Sequence, residues 1–85
     1  MRVVVVYKYE SDHAREVLDY MRDYNKQTGH DIEEINPETR EGADFCRVYD
    51  IMEYPTMLAL DSEGKLHNMW RGRPLPTISE VSYYA

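Results

Sequence analysis

The sequence predicts an α/β fold in which a four-stranded mixed sheet carries helices on both faces. Three observations lead to this class. The run from Val3 to Val6 is continuously apolar and β-branched, which is typical of a strand that is buried on both sides. A stretch in which apolar residues recur at helical spacing follows it. The turn sequence from Asp61 to Gly64 separates two short apolar runs and indicates an antiparallel hairpin.

The first strand, the first helix and the second strand form a βαβ unit. The strand covers Arg2 to Tyr7, and Ser11 is expected to cap the helix, with Asp12 in the first turn. Gly29 is expected to end this helix. The second strand covers His30 to Ile35, parallel to the first, with a right-handed crossover. The apolar face of the helix comprises Ala14, Val17, Leu18, Tyr20, Met21 and Tyr24.

The second half of the chain contains a helix, the hairpin and a last helix. The pattern predicts a helix roughly from Thr39 to Asp50, with Gly42 weakening its first turn by about 1 kcal/mol relative to alanine. The segments "TMLALD" and "KLHNMW" are the third and fourth strands. Thr77 or Ser79 is expected to cap the last helix. The predicted order is βαβ-α-ββ-α, with the buried Val3 to Val6 strand in the centre of the sheet.

Composition and charge narrow the class of protein. The chain has 85 residues, 42% of them hydrophobic, which predicts a single domain over residues 1 to 85. The net charge is −6, and only Arg71 and Arg73 form a basic pair, so no nucleic-acid partner is expected. The apolar run near the start is too short to span a membrane or to form the core of a signal peptide. We therefore expect a cytoplasmic protein with no membrane partner.

Cys46 is the single cysteine, so no internal disulfide can form. It lies on the predicted core face of the second helix and is expected to act as a small apolar residue, with a regulatory thiol as the alternative. His13, His30 and His67 lie on different elements without paired spacing, so no metal site is expected.

The segment "VYDIMEYPTMLALDSEGKLHNMWRG", from Val48 to Gly72, carries a resemblance to a known family. It is similar to the thioredoxin pattern in which Ile-Pro-Thr or Val-Pro-Thr precedes a strand, a glycine turn, a second strand and a glycine. With the predicted order of elements, nearly the whole chain resembles the thioredoxin-like superfamily in its short, glutaredoxin-sized form. The resemblance implies a thioredoxin-like fold and a cis-proline at Pro55.

The redox motif of that family is missing from this chain. When the first helices are aligned, the first cysteine of the C-x-x-C motif falls on Ser11 and the second on Ala14, so "SDHA" stands in its place. Dithiol exchange needs an attacking thiolate and a resolving thiol, which serine and alanine do not supply. We therefore predict a redox-inactive protein and assign no catalytic residue and no cofactor.

A non-catalytic binding or adaptor module is the predicted function. An extended peptide, a protein partner or glutathione would bind the surface around the proline, although Pro55 also has an architectural role that explains its presence. The expected surface comprises Tyr9, Ser11, Asp12, His13, Tyr54, Pro55 and Thr56.

An enzyme is the alternative. It would be a divergent thiol-disulfide oxidoreductase using Cys46, or a glutathione-dependent enzyme in which Tyr9 or Ser11 activates the thiol. A hydrolytic triad of Ser11, Asp12 and His13 is not expected, because neighbours at a helix start point in different directions. The exposed edge of the second strand leaves both a monomer and a weak dimer open.

Overall fold

The structure is a computed structural model that describes residues 1–84. The sheet has the strand order β2-β1-β3-β4. Strand β1 is parallel to β2 and antiparallel to β3, and β3 is antiparallel to β4. The predicted four-stranded mixed sheet with the first strand between the second and third is confirmed. The elements are β1 (Arg2–Val6), α1 (Ala14–Thr28), β2 (Glu33–Ile35), α2 (Arg40–Tyr49), β3 (Thr56–Leu60), β4 (Leu66–Arg71) and α3 (Ile78–Ser82).

Strand β1 separates two hydrophobic cores. Val3 and Val5 pack with α1 and α3, whereas Val4 and Val6 pack with α2. All four valines are buried, and each contributes about 1.5–3 kcal/mol relative to an exposed side chain. The helices therefore cover both faces of the sheet, as the continuous apolar run predicts. None of the helices within residues 1–84 is long and apolar enough to cross a membrane.

Helix α1 begins later than the sequence predicts. Its N-cap residue is His13, which makes no capping hydrogen bond through its side chain, so the prediction that Ser11 caps this helix is wrong. Gly29 ends the helix in the left-handed conformation at φ 75°, as expected. The buried face holds Val17 and Tyr24, but Leu18, which the pattern assigned to that face, is 49% exposed.

Helix α2 has a well-ordered first turn. The hydroxyl of Thr39 accepts a hydrogen bond from the Gly42 N–H at 3.0 Å, and the Thr39 carbonyl accepts one from the Ala43 N–H at 2.8 Å. Gly42 is buried against the backbone of Asn36, with no room for a side chain. The prediction that Gly42 loosens this turn is therefore wrong, because its missing side chain permits the close approach.

The hairpin and α3 follow the local sequence signals. Gly64 has φ 83° and donates its N–H to the Asp61 carbonyl, closing the turn between β3 and β4. Backbone N–H groups, first that of Lys65, donate to the Asp61 carboxylate and lower its pKa. Thr77 caps α3 in a full capping box with Glu80, which decides between the two predicted caps. Strand β2 is shorter than predicted, because residues 30–32 do not pair with β1.

Tyr20 provides a test of the packing of α1. Its hydroxyl is buried and has no hydrogen-bond partner among residues 1–84. Burial raises the pKa of Tyr20 from 10.0 to about 12. Because the folded state has the higher pKa, the stability that Tyr20 confers is complete below pH 10 and is lost as the pH rises towards 12. Stability is therefore expected to fall across this alkaline range.

We expect Tyr20→Phe to reduce this alkaline loss. At neutral pH it is expected to leave stability unchanged or to raise it by about 1 kcal/mol, since it removes an unpaired buried hydroxyl. Urea unfolding at neutral and alkaline pH measures both effects. Tyr83→Phe is the matched control, because the Tyr83 side chain is 83% exposed. An alkaline loss of the same size in Tyr20→Phe and the parent would contradict the prediction.

Candidate functional site

The residues that the sequence assigned to a binding surface lie at one end of the sheet. Val6, the last residue of β1, pairs with Thr56 at the start of β3 and with Ile35 at the end of β2. The loop that follows β1 and the segment that precedes β3 therefore share this end. The connection from β2 to α2 lies at this end as well, although the sequence does not predict a binding site in it.

Hydrogen bonds to neighbouring parts of the chain hold the Tyr54–Thr56 segment in place. The Pro55 carbonyl accepts a hydrogen bond from the Gly72 N–H at 2.8 Å, and the Thr56 hydroxyl donates to the Glu53 carbonyl at 2.7 Å. Pro55 and Thr56 are buried, and the Tyr54–Pro55 peptide bond is cis. The backbone N–H and C=O of Tyr54 have no hydrogen-bond partner among residues 1–84. This segment is thus a fixed backbone edge with an unused donor and acceptor.

The Ser11 and His13 side chains bond to the backbone of Lys8 rather than to each other. The Ser11 hydroxyl donates to the Lys8 carbonyl at 2.6 Å, and His13 Nε2 accepts from the Lys8 N–H at 3.2 Å. His13 is 7% exposed and meets the ring of Tyr7 edge-on, so its side chain is not part of the accessible surface to which the sequence assigns it. Asp12 is exposed. In this arrangement the Ser11 hydroxyl and the His13 ring do not form a nucleophile–base pair.

Tyr9 lies towards α2, where the sequence predicts no site. Its ring is 44% exposed and lies 4.9 Å from that of Tyr7. It lines a cavity of about 340 Å³ between the end of β2 and the start of α2. A rule of α/β sheets, that ligands bind beyond the carboxyl ends of parallel strands, points to this connection and could have revealed it from sequence. The lining comprises Tyr9, Glu34, Ile35, Asn36, Thr39, Glu41, Gly42 and Phe45.

Cys46 lies in the core between α2 and the sheet. It is a free thiol, 7% exposed, and burial raises its pKa, an effect that a hydrogen bond with Tyr54 partly offsets. A raised pKa disfavours the thiolate that thiol chemistry requires. Within the described residues, no three His, Cys, Asp or Glu side chains gather as ligands for a metal ion.

Three basic residues near this end of the sheet contact other parts of the protein. The Lys8 ammonium lies 5.5 Å from the centroid of the Tyr54 ring. The Arg71 guanidinium donates to the Asp50 carbonyl at 3.0 Å, and that of Arg73 donates to Glu16 at 3.5 Å. The two arginines thus serve as structural contacts to the α2 terminus and to α1.

The topology and this proline-started strand define a thioredoxin-like fold. The chain is similar to the solved structure of thioredoxin 1 from the thermophilic eubacterium Thermosipho africanus TCF52B, with a TM-score of 0.69 and 21% sequence identity. The match covers 99% of this chain and 89% of that one. No family model and no curated protein matches the sequence. The similarity establishes the fold, and the single cysteine agrees with the absence of a redox pair.

Proposed function

We propose that the protein is a non-catalytic binding module that takes an extended peptide at the Tyr54–Pro55 edge. The observation that carries the proposal is the unused backbone N–H and C=O of Tyr54, immediately before β3. An extended segment can pair with such an edge as an added strand, with the main chain supplying the hydrogen bonds. The module would work in the cytoplasm, where a free thiol such as Cys46 stays reduced.

The rigidity of this edge favours binding. Pro55 is held by Gly72, and Thr56 is held by the Glu53 carbonyl, so the Tyr54 backbone is fixed before a ligand arrives. A preorganised site loses less conformational entropy when it binds. The Ser11 to His13 turn on the same end of the sheet is fixed by Lys8 in the same way and offers a second rigid border.

An amide-resolved NMR titration tests the proposal. The probe is a capped tetrapeptide of alternating threonine and valine, which favours an extended backbone. We expect chemical-shift changes centred on Tyr54 and Thr56, with smaller ones from Ser11 to Ala14. The matched control is the same peptide with its central amides N-methylated, which removes the donors needed for pairing. Absence of shifts at millimolar peptide, or equal shifts with the methylated peptide, would overturn the proposal.

A second titration addresses the enzyme alternative. Reduced glutathione replaces the peptide, and exchange with a small disulfide is assayed in the parent chain and in Cys46→Ser. A binding module keeps its peptide affinity in Cys46→Ser, apart from a small loss of stability, and neither chain catalyses exchange. Glutathione-dependent exchange that disappears in Cys46→Ser would instead establish the divergent thiol enzyme.

A further inference from the structure

A cavity of about 340 Å³ lies between the end of β2 and the start of α2, at the same end of the sheet as the proposed peptide edge. We refer to it as the β2–α2 cavity, with the lining given above. Phe45 and Ile35 line the cavity and also pack in the same core as Tyr54. The cavity and the Tyr54 edge therefore border the same core. Its volume is at the lower end of the range for small-molecule sites, which suits a single long side chain.

The lining combines apolar walls with negative charge. Tyr9, Ile35 and Phe45 provide aromatic and aliphatic surface, whereas Glu34 and Glu41 provide two carboxylates. Among residues 1–84, no basic residue lines the cavity. The chain as a whole carries a net charge of −6, which adds to the attraction for a cation. An occupant that complements this lining has an apolar stem and a positive end.

A hydrogen bond from a buried residue fixes the position of the Glu34 carboxylate. The buried Tyr7 hydroxyl donates to Glu34 Oε1 at 2.5 Å, while Oε2 has no partner among residues 1–84. One oxygen is thus anchored and the other is available for a ligand. Glu41, on the first turn of α2, is exposed and forms no ion pair within the described residues.

We infer that the β2–α2 cavity binds the arginine side chain of the extended peptide that the Tyr54 edge receives. This inference rests on the proposed function and adds sequence specificity to it. The guanidinium can stack on the ring of Tyr9 and donate a hydrogen bond to Oε2 of Glu34, while the methylene stem packs against the apolar part of the lining. Main-chain pairing would supply affinity for any extended segment, and the cavity would select those with arginine.

Two pairs of probes test the cavity. The first compares n-butylguanidinium with n-butylurea, which has a similar shape and no charge. The second compares the capped tetrapeptide carrying one arginine with the same peptide carrying citrulline. We expect the charged member of each pair to bind more tightly, with shifts at the amides of Tyr9, Gly42 and Phe45, and its advantage to shrink as salt is added.

Substitutions of the two glutamates that line the cavity provide a second test. We expect Glu34→Gln and Glu41→Gln each to weaken binding of n-butylguanidinium by about threefold or more. Glutamine retains an oxygen that can accept from Tyr7, so the fold is expected to persist. Glu63→Gln is the matched control, since it removes one charge from the hairpin turn, at the opposite end of the sheet. It is expected to leave the affinity unchanged.

The outcomes separate this inference from the proposed function. Equal binding of arginine and citrulline peptides at Tyr54 would overturn the cavity assignment and leave the peptide edge intact. Shifts of Tyr9 and Phe45 with n-butylguanidinium, but none at Tyr54 with either peptide, would refute the peptide ligand in both proposals. An equal loss of affinity in Glu63→Gln would show that net charge alone attracts the cation, which also refutes the site.

Discussion

Gly42→Ala is expected to destabilise the protein by about 3 kcal/mol, although alanine is the better helix former. A Cβ atom at this position would overlap the Asn36 carbonyl oxygen and lie 2.7 Å from its carbonyl carbon. It would also lie 2.9 Å from the Thr39 hydroxyl oxygen. The Asn36 carbonyl accepts hydrogen bonds from both the N–H and the hydroxyl of Thr39, so it cannot move without opening the cap of α2. This loss is a large share of the stability of a small domain.

The free energy of unfolding in urea measures the effect. Gly29→Ala is the matched control, because Gly29 has φ 75° and an added Cβ atom there would meet nothing within 4 Å. Its cost is the conformational one alone, about 1–2 kcal/mol. A larger loss for Gly42→Ala isolates the contribution of the overlap. If Gly42→Ala instead stabilises the protein by about 1 kcal/mol, helix propensity governs this position and the close approach to Asn36 is wrong.

Local signals predicted most of the fold. The run of four valines specified the central strand, because only a strand covered on both faces accommodates apolar side chains on both sides. Asp61 and Gly64 specified the hairpin turn, and Thr77 with Glu80 specified the last cap. Each of these signals depends on residues within a few positions of one another. The sequence therefore contained the information without any knowledge of tertiary contacts.

The errors occurred where a contact from another segment decides the conformation. Gly42 reads as a helix breaker until the Asn36 carbonyl is placed against it. Ser11 reads as an N-cap, yet the chain makes another turn first and the Ser11 hydroxyl bonds back to Lys8. His13 reads as a surface residue, but its ring enters the core to accept the Lys8 N–H. The outcomes for Ser11 and His13 depend on the path of the chain after β1, which hydrophobic periodicity does not encode.

Only the part of the candidate site that consecutive residues form could be predicted from the sequence. Tyr54, Pro55 and Thr56 follow from the proline that starts β3, a signal contained in three consecutive residues. The β2–α2 cavity requires the end of a three-residue strand, the first turn of a helix and a loop after another strand. Glu34 and Glu41 have the sequence context of ordinary surface carboxylates, because nothing in the sequence places them in the lining of one cavity.

Ser11→Cys combined with Ala14→Cys is expected to give the protein the dithiol exchange that its sequence lacks. The Ala14 N–H donates to the Ser11 carbonyl at 3.3 Å, which closes a four-residue turn before α1. Such turns bring their end residues within about 7 Å between Cα atoms, and disulfides span about 4.4–6.8 Å. The position of Ser11 is half-buried and that of Ala14 is buried, so one thiol is accessible and the other can resolve a mixed disulfide.

Alkylation of the unfolded chain followed by mass spectrometry measures the bond. In the oxidised double variant only Cys46 is expected to react, whereas in each single variant both cysteines react. The reduced double variant is also expected to reduce oxidised glutathione much faster than either single variant. If all three cysteines of the double variant react after oxidation, the alignment of the redox motif with Ser11 and Ala14 is wrong.

Formation of this disulfide would show that the chain lacks dithiol chemistry because of two side chains alone. It would also show that the backbone of the turn still permits a disulfide bond. The proposed peptide site uses the Tyr54 backbone and neither substituted side chain, so the oxidised double variant is expected to bind the capped tetrapeptide with the affinity of the parent. Equal affinity would mean that binding and redox chemistry are separable in this fold. A large change in affinity would instead show that the Ser11 or Ala14 side chain contributes to peptide binding.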